Sequence, residues 1–137
     1  MIDNPKVVEA AASHVSLITC KEYFGRGRAF VLGMLGLNKP IDADTMTAWK
    51  KILDAQKQSL EEFYATATPD LVTQAKEVMS SPAMKDVLKM RVAIVAKAGT
   101  GNFDVPMQTW FLKITDVINQ LKKVDDKSIE YLLSIAK

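Results

Sequence analysis

Arg28 and Arg91 are the residues of this chain best placed to do chemistry, because each falls inside an apolar stripe at helical spacing. Leu17, Lys21, Phe24, Arg28, Val31 and Leu35 recur at intervals of three and four, as do Met84, Leu88, Arg91, Val95 and Ala98. A guanidinium offers a fixed fork of donors matched to planar oxyanions. Burying it without a partner is expensive. Each arginine must therefore snorkel to solvent, meet a carboxylate or hold an anionic ligand. The bland outcome is a structural ion pair, with Glu22 or Asp125 as the carboxylate.

Other residues carry less. The one cysteine, Cys20, excludes a disulfide within the chain and reads as a small packed side chain on a helix. His14 is the one histidine, so a zinc site is not expected. Gly25-Arg26-Gly27 lacks the full phosphate-loop pattern and follows no strand. Two glycines inside a helix each cost about 1 kcal/mol relative to alanine, which implies close helix approach, room for a ligand or a local kink. Trp49 and Trp110 read as core. Phe24, Gly25, Arg26 and Trp110 are the candidates for lining a pocket beside the two arginines. Acid–base and metal constellations are missing from the pattern, so the chain is expected to be neither an enzyme nor a cofactor carrier.

The elements that must position these residues are helices. Breakers fall at wide intervals: Gly36, Asn38 and Pro40; Thr68-Pro69-Asp70; Ser80-Ser81-Pro82; and Gly99 through Pro106. The segments between them have helical periodicity, and they predict helices over about 5–35, 43–66, 69–98 and 106–136. Gly36 suits the end of the first, and Asp42 or Asp44 can cap the second. Thr68 caps the third, with Pro69 at its first position. Ser81-Pro82 repeats that start signal, so the third helix is expected to kink or break there. Met46, Trp49, Leu53, Gln56, Leu60 and Phe63 form the seam of the second helix, and Phe111, Ile114, Ile118, Leu121, Leu132 and Ile135 that of the last. The expected fold is all-α, a single domain over 1–137 forming an antiparallel up-down-up-down four-helix bundle. Such a bundle returns both termini to one end, as a domain held between two membrane spans requires.

Bulk properties agree with one globular domain. The chain has 137 residues, of which 48% are hydrophobic and 25% charged. A net charge of +2 gives no reason to expect nucleic acid. No stretch approaches the ~20 apolar residues of a membrane span. Asp3, Lys6 and Glu9 interrupt any signal-peptide pattern. The preferred reading is the soluble part of a membrane receptor, with contact to the membrane only through flanking spans outside this sequence.

The stretch Lys21-Glu22-Tyr23-Phe24-Gly25-Arg26-Gly27-Arg28-Ala29 resembles the K-E-x-x-G-x-E-R-A motif of nitrate- and nitrite-sensing (NIT) domains. Gln56, Leu60 and Phe63 resemble that family's Q-x-x-x-L-x-x-F pattern. Ser81-Pro82-Ala83 and Met90-Arg91 are similar to its third helix, Asp104 with Trp110-Phe111 and Thr115 to its D…WF…T motif, and Leu121 to Asp125 to its L-K-x-V-E segment. The resemblance runs from about Glu9 to the end, and the order and spacing of the motifs are more specific than any one alone. Gly27 stands where the motif has glutamate, and Arg26 adds a positive charge beside it. The resemblance is to the second half of such a domain, so a site shared between halves would be incomplete. A single-bundle relative with a different ligand, or a site completed by dimerisation, are the two ways out.

The resemblance implies an all-helical sensor from the periplasmic region of a chemoreceptor (a methyl-accepting chemotaxis protein) or a sensor kinase. It implies nitrate or nitrite bound through arginines, carried over by motif position to Arg28 and, less closely, Arg91. The expected mechanism is a small anion bridging Arg28 and Arg91 in a homodimeric receptor and biasing how the first and last helices pack. The rival expectation is a helical dimerisation or protein-interaction module without a small-molecule ligand.

Overall fold

A computed structural model describes residues 4–136. The described residues form five helices: α1 (Pro5–Leu37), α2 (Ala43–Thr66), α3 (Pro69–Met79), α4 (Pro82–Ala96) and α5 (Met107–Ile135). No strand occurs among the described residues. Their starts follow the local chemistry. Asp42 accepts from the Thr45 amide at 2.7 Å and caps α2. Thr68 and Ser81 cap α3 and α4, each followed by proline at the first helical position, where a missing N–H costs nothing.

The expected third helix is therefore two. Pro82 cannot continue the ladder, and its ring would clash with the carbonyl four residues back, that of Val78. That carbonyl instead accepts from the Ser81 amide at 3.1 Å. The end of α1 also differs from expectation. The helix runs past Gly36 to Leu37, and Asn38 ends it in the left-handed conformation at φ 53°.

α1 lies between α2 and α5, packs extensively on both and is antiparallel to both. Gly27 of α1 faces Ile52 and Gln56 of α2, while His14, Lys21 and Arg28 reach Ser128, Asp125 and Thr115 of α5 in reverse order. α3 and α4 pack on α5. α2 and α4 make no comparable backbone approach to each other. Leu17, Phe63, Val87, Ile94, Trp110, Ile114 and Leu121 form the centre of the core, all buried.

Two expected seams are displaced. On α5 the buried line is Trp110, Ile114, Val117, Leu121 and Val124, and Phe111 is 41% exposed. On α4 the core face is Ala83, Met84, Val87 and Ile94, while Leu88 and Val95 are exposed. Two apolar stripes compete on each of these helices, and periodicity alone does not say which one faces inward.

At one end of the bundle the α1–α2 and α4–α5 loops are tied together. The Ile41 amide donates to the Ala98 carbonyl at 2.7 Å, and the Asn102 amide to the Asn38 carbonyl at 3.2 Å. Asn38 Oδ1 accepts from the Phe103 amide at 3.1 Å. Gly101, at φ 74°, is required in this clasp, since a Cβ there would stand 2.7 Å from the Lys39 carbonyl carbon. At the other end, Lys6 and Glu9 of α1, the α2–α3 turn and Tyr131 of α5 line one cavity, so the first turns of α1 and the last turns of α5 lie together. Among the described residues, no helix is long and apolar enough to cross a membrane.

Candidate anion site

Arg91 projects from α4 across the gap to α2. Its Nη2 donates to Gln56 Oε1 at 3.1 Å, and Gln56 Nε2 in turn donates to the Tyr23 carbonyl of α1 at 3.1 Å. The guanidinium carbon stands 5.8 Å from the centre of the Phe24 ring. No carboxylate lies within ion-pair distance of Arg91 among the described residues. Burial holds the guanidinium down to about 10, well below the usual arginine range, and no neighbouring anion opposes that shift. The charged form therefore costs the fold free energy at neutral pH, and a bound anion would return part of it.

Arg91 borders two adjoining cavities between α2 and α4. One, of about 360 Å³, includes Phe24, Leu53, Gln56, Leu60 and Leu88 in its wall. The other, of about 340 Å³, is walled by Trp49, Leu53, Val92, Val95 and Ala96. Two buried side-chain nitrogens without a hydrogen-bond partner are found among the described residues, Arg91 Nε and Trp49 Nε1. Both residues line the second cavity. Buried donors are normally satisfied, so two orphans beside one cleft mark a place where an acceptor is missing.

Arg28 lies in a different setting. Its Nη1 donates to Thr115 Oγ1 of α5 at 3.0 Å, and its guanidinium carbon is 5.1 Å from the centre of the Phe111 ring. The Trp110 indole donates to the Arg28 carbonyl at 3.2 Å. The residues of the W-F…T pattern thus form a cradle for Arg28. Arg28 lines neither of the cavities that Arg91 lines. The two arginines engage different helices and share no partner.

The candidate carboxylates are committed elsewhere. Asp125 accepts from Lys21 at 2.7 Å and lies 3.6 Å from His14, which pairs with Ser128 at 3.1 Å. Glu22 is engaged by exposed Arg26 at 2.7 Å. Arg26 also lies over Tyr23, on the surface and away from the cleft. Trp110 is wholly buried and belongs to the core. A Cβ on Gly25 would touch nothing within 4 Å, whereas one on Gly27 would meet Gln56 Nε2 at 3.1 Å. Of the two glycines, Gly27 is the one that allows close approach, and what it admits is the glutamine that positions Arg91. Cys20 is sealed, and burial pushes its thiol up to about 11, which keeps it protonated and inert.

Gln56 and Trp49 are the site residues that the stripes did not single out. A polar amide in an apolar seam is the signal for the first. For the second it is an indole N–H, which usually finds a partner when buried.

No curated protein and no solved structure gives a significant match. The nitrate and nitrite sensing family, NIT, matches residues 1–132. The Arg28 cradle and the Gln56–Arg91 pair are both built from the motifs that carried the resemblance, and with the family match over nearly the whole length they make this chain a member of the NIT family.

Proposed function

We propose that this chain is the extracytoplasmic ligand-sensing domain of a bacterial chemoreceptor-like protein, without catalytic activity, and that Arg91 anchors a small anion. The observation that carries the reading is a part-buried guanidinium with a buried, orphaned Nε–H and no carboxylate partner, lining a cleft. The family match supports sensing as the activity. The mechanism is ligand-biased packing. An anion that satisfies Arg91 favours whichever spacing of α2 and α4 admits it, and it shifts the equilibrium by its differential affinity for the two spacings. Arg28, already held by Thr115 and Phe111, fixes α1 to α5 beside the site. The receptor acts as a homodimer, with the membrane reached through flanking segments.

The test is a thermal-shift screen against nitrate, nitrite, chloride and sulfate at constant ionic strength. A specific anion at a hundredfold excess over Kd adds about 2.7 kcal/mol of stability. Arg91→Gln abolishes the gain and Arg28→Gln leaves most of it. If neither substitution changes the response, the site is elsewhere.

A second reading, a helical dimerisation module, is favoured by the exposed Leu88, Val92 and Val95, which share one face of α4. It predicts a melting temperature that rises with protein concentration and ignores anions.

A further inference from the structure

Three features of the surface have no ligand assigned to them: the polar cavity at the end holding the chain termini, the exposed apolar face of α4, and the apolar walls of the Arg91 cleft. The first holds no orphaned polar group. The second and third are continuous, because Leu88, Val92 and Val95 are both the exposed face and part of the cleft wall.

We propose that the cleft between α2 and α4 takes an organic monocarboxylate with an apolar tail. Its carboxylate would bind between Arg91 and Trp49, and its tail would lie along Leu53, Leu60 and Leu88. The proposal rests on Arg91 as the anion anchor and names the chemical class of the anion. Size is the first argument. Grooves of about 360 and 340 Å³, open to solvent, share Leu53 and Arg91 and give far more room than a triatomic or tetratomic anion fills.

Wall chemistry is the second. An inorganic oxyanion needs donors on most sides, whereas this cleft gathers its donors on Arg91 and the adjoining stretch of α2 and is otherwise mostly apolar. Arg91, Gln56 and Trp49 supply the polar point, Lys57 adds a second cation at the rim beside Gln56, and Leu53, Leu60, Leu88, Val92 and Val95 are apolar wall. A carboxylate has two acceptor oxygens, and two orphaned N–H groups await acceptors. Both nitrogens are closed off from solvent, so an occupant must part α2 from α4 to reach them. These two helices lack the close backbone packing that α1 makes with α2 and α5.

The experiment is calorimetric titration of the chain with butanoate, hexanoate and octanoate, with hexanol and nitrate as controls, at constant ionic strength. Affinity is expected to rise about fourfold for each CH₂ buried, so about 250-fold from butanoate to octanoate. Hexanol should bind at least roughly tenfold more weakly than hexanoate, having lost the charge-assisted hydrogen bonds. Arg91→Gln should erase the preference of hexanoate over hexanol. Trp49→Phe, which keeps an aromatic ring and removes the indole N–H donor, should weaken hexanoate about fivefold. Leu88→Ser, on an exposed part of the wall, should flatten the chain-length series without unfolding the protein. If nitrate binds through Arg91 and the carboxylate series is flat, the tail is wrong and the anion sensor stands. If hexanol matches hexanoate, the cleft is apolar only and the carboxylate is wrong. If neither nitrate nor any carboxylate binds, the anion anchor fails together with this proposal.

Discussion

The two sides of α1 handle a basic residue in opposite ways. Toward α5, His14, Lys21 and Arg28 lie seven residues apart, and each finds a fixed partner in Ser128, Asp125 or Thr115. Toward α2 and α4, Arg91 finds one amide oxygen, an aromatic ring and two cavities. The first interface is closed and satisfied, as a structural seam must be. The second is open and short of an acceptor. A cation in an apolar stripe is thus not informative by itself; what distinguishes scaffold from site is whether its donors are spent.

The strongest way to break this contrast is to test packing on each side. Trp110→Ala, on the closed side, is expected to cost about 3–5 kcal/mol in urea unfolding. Leu88→Ala, on the open side, should cost under about 1 kcal/mol, because half of that side chain already meets solvent. Equal losses would mean that the cleft is as tightly closed as the seam. Asp125→Ala should cost about 2–3 kcal/mol, since it strands Lys21 and His14. A double-mutant cycle with Lys21→Ala would isolate the pair.

The sharpest test changes sign across the molecule. Arg91→Met is expected to stabilise the ligand-free protein by about 0.5–1 kcal/mol, because removing a largely desolvated cation that has no counter-ion outweighs stranding Gln56 Oε1. Arg28→Met should destabilise it by about 1 kcal/mol, through the lost Thr115 bond. If Arg91→Met also destabilises, Arg91 is scaffold. Smaller effects follow at the glycines. Gly25→Ala, with open space around it, should add about 0.5–1 kcal/mol of stability. Gly27→Ala should come out near zero, its helical gain offset by the contact with Gln56. Cys20 should report opening with almost no effect on stability. With its thiol raised to about 11, little thiolate exists in the folded chain at pH 8, so alkylation waits for α2 to leave α1.

Much of this was legible in the residues. Helix starts at Asp42, Thr68 and Ser81 were written in cap chemistry, and the break before Pro82 in the missing N–H. Arg28 and Arg91 stood out because charge interrupted a stripe. Their separation was not legible. Both occupy seam positions, and the direction of each seam depends on how α4 and α5 rotate, which competing stripes such as Phe111 against Trp110 leave undecided. Nor could spacing assign Asp125 to Lys21 rather than to an arginine, because that choice is made by partners more than a hundred residues apart in sequence. The end of α1 shifted for a local reason: Asn38 is needed in the left-handed conformation by the loop that it clasps.

That clasp makes α2 and α4 a pair of tongs. Ile41 and Ala98 join them at a fulcrum just before α2 begins and just after α4 ends, α3 links their other ends, and little direct backbone contact holds the two helices together between. α2 has 24 residues and so is about 36 Å long at ~1.5 Å per residue. A rotation of about 5° at the fulcrum therefore moves its far tip by about 3 Å, a mechanical gain fixed by arm length. The far tip lies beside the first turns of α1 and the last turns of α5, so the largest travel arises there.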